Sequence, residues 1–226
     1  MKIISFCLWG NNPKYCTGAI KNAEIAATLY SDWECWFYLP KDKDISPHNN
    51  LVVAGVELMK MPNVKVLQSE RSGDWRMMLD RFLPVDKVEV LISRDCDSRL
   101  SVREKGAVDE WLASPRGFHI MRDHPWHGTK ILGGMCGIKQ GCLPNFSYFL
   151  DQWKAEDKWQ TDQEFLANEI YPRVVNNAMI HASFCRLEAF AQDFPTPRLG
   201  TEFVGQVFDE NEVTVAEHIM ALAREL

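Results

Sequence analysis

Short apolar runs alternate with amphipathic segments along the first hundred residues. Nearly every position in the runs is hydrophobic, which is typical of strands buried on both faces of a parallel sheet. The segments between them repeat hydrophobic residues every three or four positions, which predicts helices. The predicted strands are 3–8, 34–39, 64–67 and 88–93, and the predicted helices are 19–30, 49–59 and 75–82.

Capping boxes, in which Ser or Thr precedes Glu by three residues, mark three further helices. Ser101 with Glu104 predicts a helix over 102–114. The same spacing from Thr161 predicts a helix through 170, and from Thr214 a C-terminal helix through 226. The remaining predicted strands are 118–121, 135–138, 174–180 and 203–208.

This alternation of strand and helix predicts an α/β sandwich with a mostly parallel central sheet. No repeat, low-complexity tract or linker rich in Pro, Gly and Ser divides the chain. We therefore expect one domain spanning residues 1–226.

Composition narrows the classes of partner. The 226 residues carry a formal net charge of -6 with a pI near 5.5, which argues against nucleic acid as the main partner because phosphate backbones require a basic surface. The seven cysteines form no C-x-x-C pair, which favours a reducing, cytoplasmic location. No apolar run reaches 18 residues, so we expect no transmembrane segment, and the short apolar N-terminus is interpreted as a buried strand.

The motif Asp95-Cys96-Asp97 follows the fourth predicted strand. Ligands of open α/β sheets bind beyond the carboxyl ends of the strands. In an extended chain residues two apart point the same way, so both carboxylates would face one point while Cys96 turns aside. Paired carboxylates suit Mn²⁺ or Mg²⁺. The alternative is a surface tripeptide in which one Asp pairs with an arginine and the other caps the next helix.

Arginines cluster around this motif and could hold a phosphate through their guanidinium forks, or could hold the Asp carboxylates in their charged, metal-ready form. Arg76 is the candidate for that role, whereas Arg81 is interpreted as structural. The alternative for Arg76 is an ordinary helical ion pair with Asp80, four residues on. The cluster comprises Arg71, Arg76, Arg81, Arg94 and Arg99.

The segment 119–127 holds several histidines, but Pro125 prevents His124 and His127 from sharing one helical face as a zinc pair would. We expect a pocket rim that contacts sugar hydroxyls and stacks on a sugar face. The alternative is a rigid turn with its tryptophan in the core. The rim residues are Asp123, His124, Trp126 and His127.

Three other features of the second half bear on a site. Gly133-Gly134 permits either close approach of the backbone to a ligand or a simple bulge. Asp162-Gln163 at a helix start could face a sugar, or Asp162 could be only a favourable charge there. His181 could be a third metal ligand, or a semi-buried histidine with internal partners.

An ordered set of segments resembles the small GT-A type glycosyltransferases of chlorella viruses and some bacteria. The resemblance runs from about residue 70 to 208 and is carried by 91–101 (LISRDCDSRLS), 118–125 (FHIMRDHP), 133–135 (GGM) and 202–208 (EFVGQVF). It implies a GT-A, Rossmann-like fold and a metal-dependent hexosyltransferase that uses a nucleotide sugar and a glycan acceptor in a viral-host or bacterial cytosol.

The resemblance also implies roles for residues. Asp95 and Asp97 would bind Mn²⁺ or Mg²⁺ with His181, and Asp162 and Gln163 would face the donor sugar. Either Asp162 or Asp123 would stabilise the oxocarbenium-like carbon, and retention of configuration is favoured. The nucleotide would lie in residues 1–100 and the acceptor and sugar in 101–226. The nucleotide-binding candidates are Leu8, Trp9, Gly10, Tyr15, Arg71, Arg76, Asp95 and Cys96.

Two other functions stay open from sequence. A metal-dependent phosphohydrolase also uses an Asp-x-Asp after a strand, and a sugar-binding module could keep the fold without catalysis. A UDP-sugar is the favoured donor by analogy of fold, followed by a GDP-sugar. The sequence makes no prediction of the acceptor or of the oligomeric state.

Overall fold

The computed structural model describes residues 1–41, 49–71 and 73–226. In this part of the chain seven strands form one sheet, in the order β3-β2-β1-β4-β6-β5-β7. The strands are β1 (Lys2–Cys7), β2 (Glu34–Leu39), β3 (Val64–Gln68), β4 (Val90–Arg94), β5 (Phe118–Arg122), β6 (Met135–Lys139) and β7 (Ala178–Ala182).

The sheet is mostly parallel, as predicted. β1 pairs in parallel with β2 and β4, β2 with β3, and β5 with β7. Only β6 runs the other way among the described strands, antiparallel to both β4 and β5. The six parallel strands therefore place their carboxyl ends along one edge, where ligands of such sheets bind.

Helices cover both faces of the sheet. Side-chain caps start several of them, because the Asn12 side chain accepts from the Lys14 N–H and the Asn49 side chain from the Leu51 N–H. The α-helices are α1 (Pro13–Leu29), α2 (Asn50–Met59), α3 (Val102–Ala113), α4 (Phe146–Gln152), α5 (Thr161–Phe165), α6 (Tyr171–Val174) and α7 (Ala216–Ala223). Short 3₁₀ helices span Trp75–Phe82, Val85–Lys87 and Val175–Asn177, and a π-helical turn spans Leu166–Ile170.

Two hydrophobic cores pack on opposite faces of the sheet. Ile3 of β1 and Leu91 of β4, which are register partners, lie in one core. The next residues, Ile4 and Ile92, lie in the other. Since successive strand residues point to opposite faces, this alternation produces the three layers of an α/β/α sandwich.

Several predicted elements differ from the structure. The predicted strand 174–180 is wrong for its first half, because helical turns continue to Asn177 and β7 begins only at Ala178. The predicted strand 203–208 is wrong. It pairs only through the isolated bridges Ser98↔Val207 and Phe208↔Thr214, with no neighbouring strand to extend them. The segment Trp75–Phe82 is a 3₁₀ helix rather than an α-helix.

One of the three capping predictions is confirmed. The Ser101 side chain accepts from the Glu104 N–H and starts α3. Thr161 lies inside α5 instead, behind Gln160 in the left-handed conformation at φ 66°. Thr214 instead forms an isolated β-bridge with Phe208, and α7 begins after Val215 without a side-chain cap.

The described helices include none that is both long enough and apolar enough to cross a membrane. The expectation of one domain over 1–226 stays a prediction.

Close packing of α1 on the Asp-x-Asp motif makes Gly18 essential. A Cβ at Gly18 would lie 1.9 Å from the Cys96 carbonyl oxygen, a backbone atom that cannot turn away. We expect Gly18→Ala to lower the free energy of unfolding by about 2 kcal/mol or more, measured by urea denaturation. Gly55→Ala is the matched control, because the Leu39 side chain at 3.1 Å can give way. Equal stability of the two variants would contradict this packing.

Candidate active site

The Asp-x-Asp motif begins directly after β4 and is anchored through its middle residue. Cys96 is buried, and its thiol donates to the Cys7 carbonyl of β1 at 3.3 Å. Asp95 and Asp97 are left beside the carboxyl ends of β1 and β4. Burial, followed by the charge of Asp95, raises the pKa of Asp97. The two carboxylates therefore lie close enough to repel each other, an arrangement that a cation would relieve.

The first turn of α1 supplies one such cation. Lys14 Nζ lies 2.9 Å from Asp97 Oδ2 and 4.5 Å from the centre of the Tyr15 ring. Lys14 carried no sequence signal, because its partner lies 83 residues away. Tyr15, a predicted nucleotide contact, thus lies next to the motif.

Arg81 supplies a second cation and joins the motif to the second half of the chain. Its guanidinium is 3% exposed, donates to Asp95 Oδ1 at 2.5 Å and pairs with Asp162 through its other terminal nitrogen. It also donates to the Arg94 carbonyl at 3.3 Å. The structural interpretation of Arg81 from sequence fits this position, although its pairing with both Asp95 and Asp162 was not predicted.

Arg71 and Arg76, the two arginines predicted to contact the nucleotide, form ion pairs with carboxylates outside the Asp-x-Asp motif. Arg76 is solvent-exposed and its guanidinium pairs with Asp74 at 2.5 Å. The predicted alternative, an Arg76–Asp80 pair, is also wrong, since Arg71 Nε is the group that pairs with Asp80, at 2.9 Å. Roles for Arg71 and Arg76 in nucleotide binding stay predictions.

Gly133 and Gly134 make room for the site's carboxylates. A Cβ at Gly133 would lie 1.9 Å from Asp162 Oδ2, and one at Gly134 would lie 2.1 Å from Asp95 Oδ2. The groups that approach this backbone are protein carboxylates, and close approach to a ligand stays a prediction. The glycine pair thus forms a wall shared by Asp95 and Asp162.

Asp162 is the most buried carboxylate of the group. It is fully buried at the start of α5, and burial raises its pKa while Arg81 opposes the rise. Its Oδ1 atom accepts no hydrogen bond from the described residues. One oxygen thus pairs with Arg81, and the other is a buried acceptor. Gln163 follows it, half-buried.

Asp123, predicted as a catalytic carboxylate, is instead a structural anchor. It is fully buried and accepts from Arg103 at 2.7 and 3.0 Å, from Arg198 at 2.6 Å, from Ser183 at 2.6 Å and from the Val204 N–H at 2.8 Å. These donors come from α3, the end of β7 and the segment after it. With both oxygens saturated, Asp123 holds these elements together.

His181, predicted as a metal ligand, lies in an internal cluster. Its Nδ1 contacts His119 Nε2 at 2.8 Å, and its Nε2 lies 3.1 Å from both Glu110 and Gln192. The contacts of its ring nitrogens within the described chain do not include Asp95 or Asp97. The alternative from sequence, a semi-buried histidine with internal partners, matches this environment.

A different histidine, His218 of α7, lies near the motif. Burial lowers the pKa of His218, and the charge of Asp97 partly opposes that fall. Its ring packs against the edge of Trp126 at 5.3 Å and near His124 at 5.7 Å. Sequence reasoning missed His218 because nothing in α7 indicates that this helix folds back over residues 97–127.

The predicted rim divides into buried and exposed parts. Trp126 is 58% exposed, whereas His124 is buried and accepts from the Trp126 N–H through Nδ1 at 3.1 Å. His127 Nδ1 accepts from the Asp123 N–H at 3.1 Å. The turn is therefore rigid, and of these residues only the Trp126 ring is well exposed to solvent.

The nucleotide candidates of the first loop lie at the ends of β1 and β2. The Leu8 N–H is committed to the Tyr38 carbonyl at 2.9 Å, and Trp9 packs edge-on against Trp75. Gly10, at φ +73°, lies in the left-handed region that favours glycine. It lines a cavity of about 630 Å³ together with residues of β2, β3 and α2.

Comparison with known proteins identifies the fold of this chain. Neither family models nor curated proteins give a match. Among solved structures, the bifunctional glycosyltransferase WbbM superposes with a TM-score of 0.50 at 11% identity, over 79% of this chain and 38% of that one. The chain has the GT-A fold. This chain corresponds to about two fifths of WbbM.

Two other solved structures match this chain at TM-scores below 0.5. A glycosyltransferase involved in glycosylating the major capsid of PBCV-1 gives a TM-score of 0.49 at 11% identity, over 80% of each chain. A 4-diphosphocytidyl-2C-methyl-D-erythritol synthase from Anaerococcus prevotii gives 0.47 at 11% identity, over 84% of this chain and 92% of that one.

The motif of this GT-A fold suits a divalent cation held by few protein ligands. No cluster of three or more His, Cys, Asp or Glu side chains arranged for a metal occurs in residues 1–41, 49–71 and 73–226. Asp95 and Asp97 nevertheless offer hard oxygen ligands, and Lys14 already shows that positive charge is stabilised there. A cation here would take its other ligands from phosphate oxygens and water.

Removal of the Arg81 guanidinium should destabilise the protein strongly. Arg81→Met leaves Asp95 and Asp162 without their shared counter-charge, and we expect a loss of about 3 kcal/mol in the free energy of unfolding by urea denaturation. Arg76→Met, which removes an exposed guanidinium, should match the wild type. A similarly small loss of stability in Arg81→Met would contradict the conclusion that Arg81 links Asp95 to Asp162.

Protonation of His127 should contribute to acid lability. Burial lowers the pKa of His127 to about 3, against 6.5 for an unperturbed histidine. Between these values the unfolded chain binds a proton that the native state rejects, so stability falls as pH falls below 6.5. His127→Asn keeps an acceptor for the Asp123 N–H but has no imidazole to protonate. We expect its free energy of unfolding to fall less than that of the wild type between pH 7 and pH 5. Identical losses would contradict this assignment.

Proposed function

We propose that this chain is a metal-dependent glycosyltransferase that transfers a hexose from a nucleotide-sugar donor to a hydroxyl of a glycan acceptor. The observation that carries the proposal is the joining of Asp95 to Asp162 by buried Arg81, beside Asp97. Three carboxylates and two cations, Lys14 and Arg81, leave a net negative site at the carboxyl ends of the strands. Such a site suits one divalent cation with a diphosphate.

Asp95 and Asp97 would hold Mn²⁺ or Mg²⁺. When bound, the metal supplies Lewis-acid stabilisation of the charge that develops on the departing diphosphate. His218 is the histidine best placed to assist them, because its ring lies within the electrostatic reach of Asp97. Arg81 would hold the Asp95 carboxylate in place from one side through its contact with Oδ1.

Asp162 and Gln163 would face the donor sugar. The free Oδ1 of Asp162 would stabilise an oxocarbenium-like anomeric carbon, since a fixed charge in a buried site acts strongly on a developing one. The acceptor oxygen bonds to that carbon as the bond to the diphosphate breaks, and its proton leaves with the diphosphate. Retention of configuration is the expected outcome. Asp123 and His181 take no part, because their polar atoms are already engaged.

Residues 1–100 would bind the nucleotide and 101–226 the sugar and acceptor. We favour a UDP-sugar as donor and a GDP-sugar next. Leu8, Trp9, Gly10 and Tyr15 would line the base and ribose, with Arg71 and Arg76 near the phosphates and Cys96 contributing only through its backbone. All seven cysteines are free, which supports work in a reducing cytoplasm.

The loss of one metal ligand should abolish turnover without unfolding the protein. We expect Asp97→Asn to lower Mn²⁺-dependent hydrolysis of the donor by at least about 100-fold, because the site loses a charged ligand. The fold should persist, since the substitution also removes a carboxylate that burial disfavours. Asp32→Asn, an exposed carboxylate paired with Lys2 near the opposite edge of the sheet, is the control and should keep full activity.

The same assay separates the rival functions. Full donor hydrolysis by Asp97→Asn would overturn the metal assignment. Phosphate release from simple phosphomonoesters without sugar transfer would favour a phosphohydrolase, and donor binding without turnover would favour a sugar-binding module.

A further inference from the structure

Arg94, the last residue of β4, is a buried cation that the proposed reaction does not use. Its side chain is 1% exposed. Nη1 donates to the Gly134 carbonyl at 2.7 Å, and Nη2 donates to Ser98 Oγ at 3.1 Å. One guanidinium thus ties the end of β4 to the turn before β6 and to the loop after the Asp-x-Asp motif.

Both of these contacts lead to Asp95. Ser98 Oγ donates to the Asp95 carbonyl at 3.2 Å, which fixes the backbone of Asp95. Gly134 lies against the carboxylate, where an added Cβ would be 2.1 Å from Asp95 Oδ2. Arg94 therefore fixes two neighbours of Asp95: Ser98, which binds its backbone, and Gly134, which lies beside its side chain.

Glu104 of α3 is the counter-charge for Arg94. Its carboxylate is fully buried, and its Oε2 lies 3.2 Å from Arg94 Nη2, the one ion pair that it makes with the described residues. Neither oxygen receives a hydrogen bond from the described residues, so the contact with Arg94 is an ion pair alone. Burial raises the pKa of Glu104 to about 7 although Arg94 opposes the rise.

Stability alone does not account for this pair. A buried ion pair with so few additional hydrogen bonds is often less stable than an apolar replacement of the same size. Glu104 does fix the direction of the Arg94 guanidinium, and that guanidinium in turn holds Gly134 and Ser98 next to Asp95. The geometry therefore favours a role in orientation.

We propose that Arg94 and Glu104 are positioning residues that hold Asp95 in the direction required to bind the metal and the donor diphosphate. The proposal rests on the proposed function. Without Glu104, Arg94 is an uncompensated buried charge that turns away from Gly134 and Ser98, and Asp95 loses both fixed neighbours. Partners of this kind, one step removed from a metal ligand, commonly change metal affinity by about 10- to 100-fold.

Mn²⁺ titration calorimetry on a set of variants tests the proposal. Glu104→Leu removes the counter-charge, and Arg94→Lys replaces the fork by one ammonium that cannot reach both partners. We expect each to weaken Mn²⁺ binding by about 10-fold or more. Glu104→Gln, which keeps the size of the side chain and an oxygen facing Nη2, should stay within about 3-fold of the wild type, since that amide dipole still offsets part of the Arg94 charge.

Arg103→Met is the matched control. Arg103 neighbours Glu104 on α3 and makes a buried ion pair of its own, with Asp123. Its loss should lower stability while leaving the Mn²⁺ affinity and the donor KM unchanged. Mn²⁺ affinities of Glu104→Leu and Arg94→Lys equal to that of the wild type would overturn the proposal, and so would an equal loss in Arg103→Met.

Crystal structures of the wild type and of Glu104→Gln and Arg94→Lys provide a readout that does not depend on activity. We expect the Arg94→Lys structure to lose the contact with Gly134 or Ser98 and to show a displaced Asp95 side chain, while Glu104→Gln keeps both. An undisplaced Asp95 in Arg94→Lys would refute the positioning role. A wild-type protein that binds no Mn²⁺ would refute the proposed function, and the structures would still decide whether Arg94 orients Asp95.

Discussion

The buried guanidinium of Arg81 is the interaction on which the candidate site depends. It lies between the carboxylates of Asp95 and Asp162, which reach it from β4 and from α5. Without it, buried Asp162 and half-exposed Asp95 would have no shared counter-charge, and their repulsion would favour separation of the two carboxylates. Gly133 and Gly134 leave room for the two carboxylates, since a Cβ at these positions would lie 1.9 and 2.1 Å from their oxygens. The charge of Arg81 thus brings the two halves of the chain to one point.

The number of hydrogen bonds that a buried carboxylate accepts distinguishes structural carboxylates from candidate functional ones. Asp123 accepts from four different residues, whereas Asp162 is equally buried and has one oxygen that accepts no hydrogen bond from the described part of the chain. An unsatisfied buried oxygen costs free energy, so its presence calls for a ligand or an ordered water. Sequence alone could not separate the two residues, since both follow or begin a regular element.

Local pattern predicted most of the sheet and the position of the Asp-x-Asp motif, because strand periodicity and motif spacing are properties of neighbouring residues. Partnerships between distant residues could not be predicted in this way. Arg81 meets Asp162 across 81 positions, and His181 finds Glu110 across 71. The predicted strand 203–208 had a plausible pattern, but a strand also requires a neighbour with free hydrogen-bonding groups.

A thermal-shift titration tests the central claim, that the cleft beside Arg81 binds a nucleotide sugar through a metal. UDP- and GDP-sugars would be added with Mn²⁺ and again with EDTA. A ligand at 100 times its Kd stabilises the native state by about 2.7 kcal/mol. We predict a rise in Tm for one nucleotide class that requires Mn²⁺ and disappears with EDTA. The account would be contradicted if no nucleotide sugar raised Tm, or if the rise persisted unchanged in EDTA.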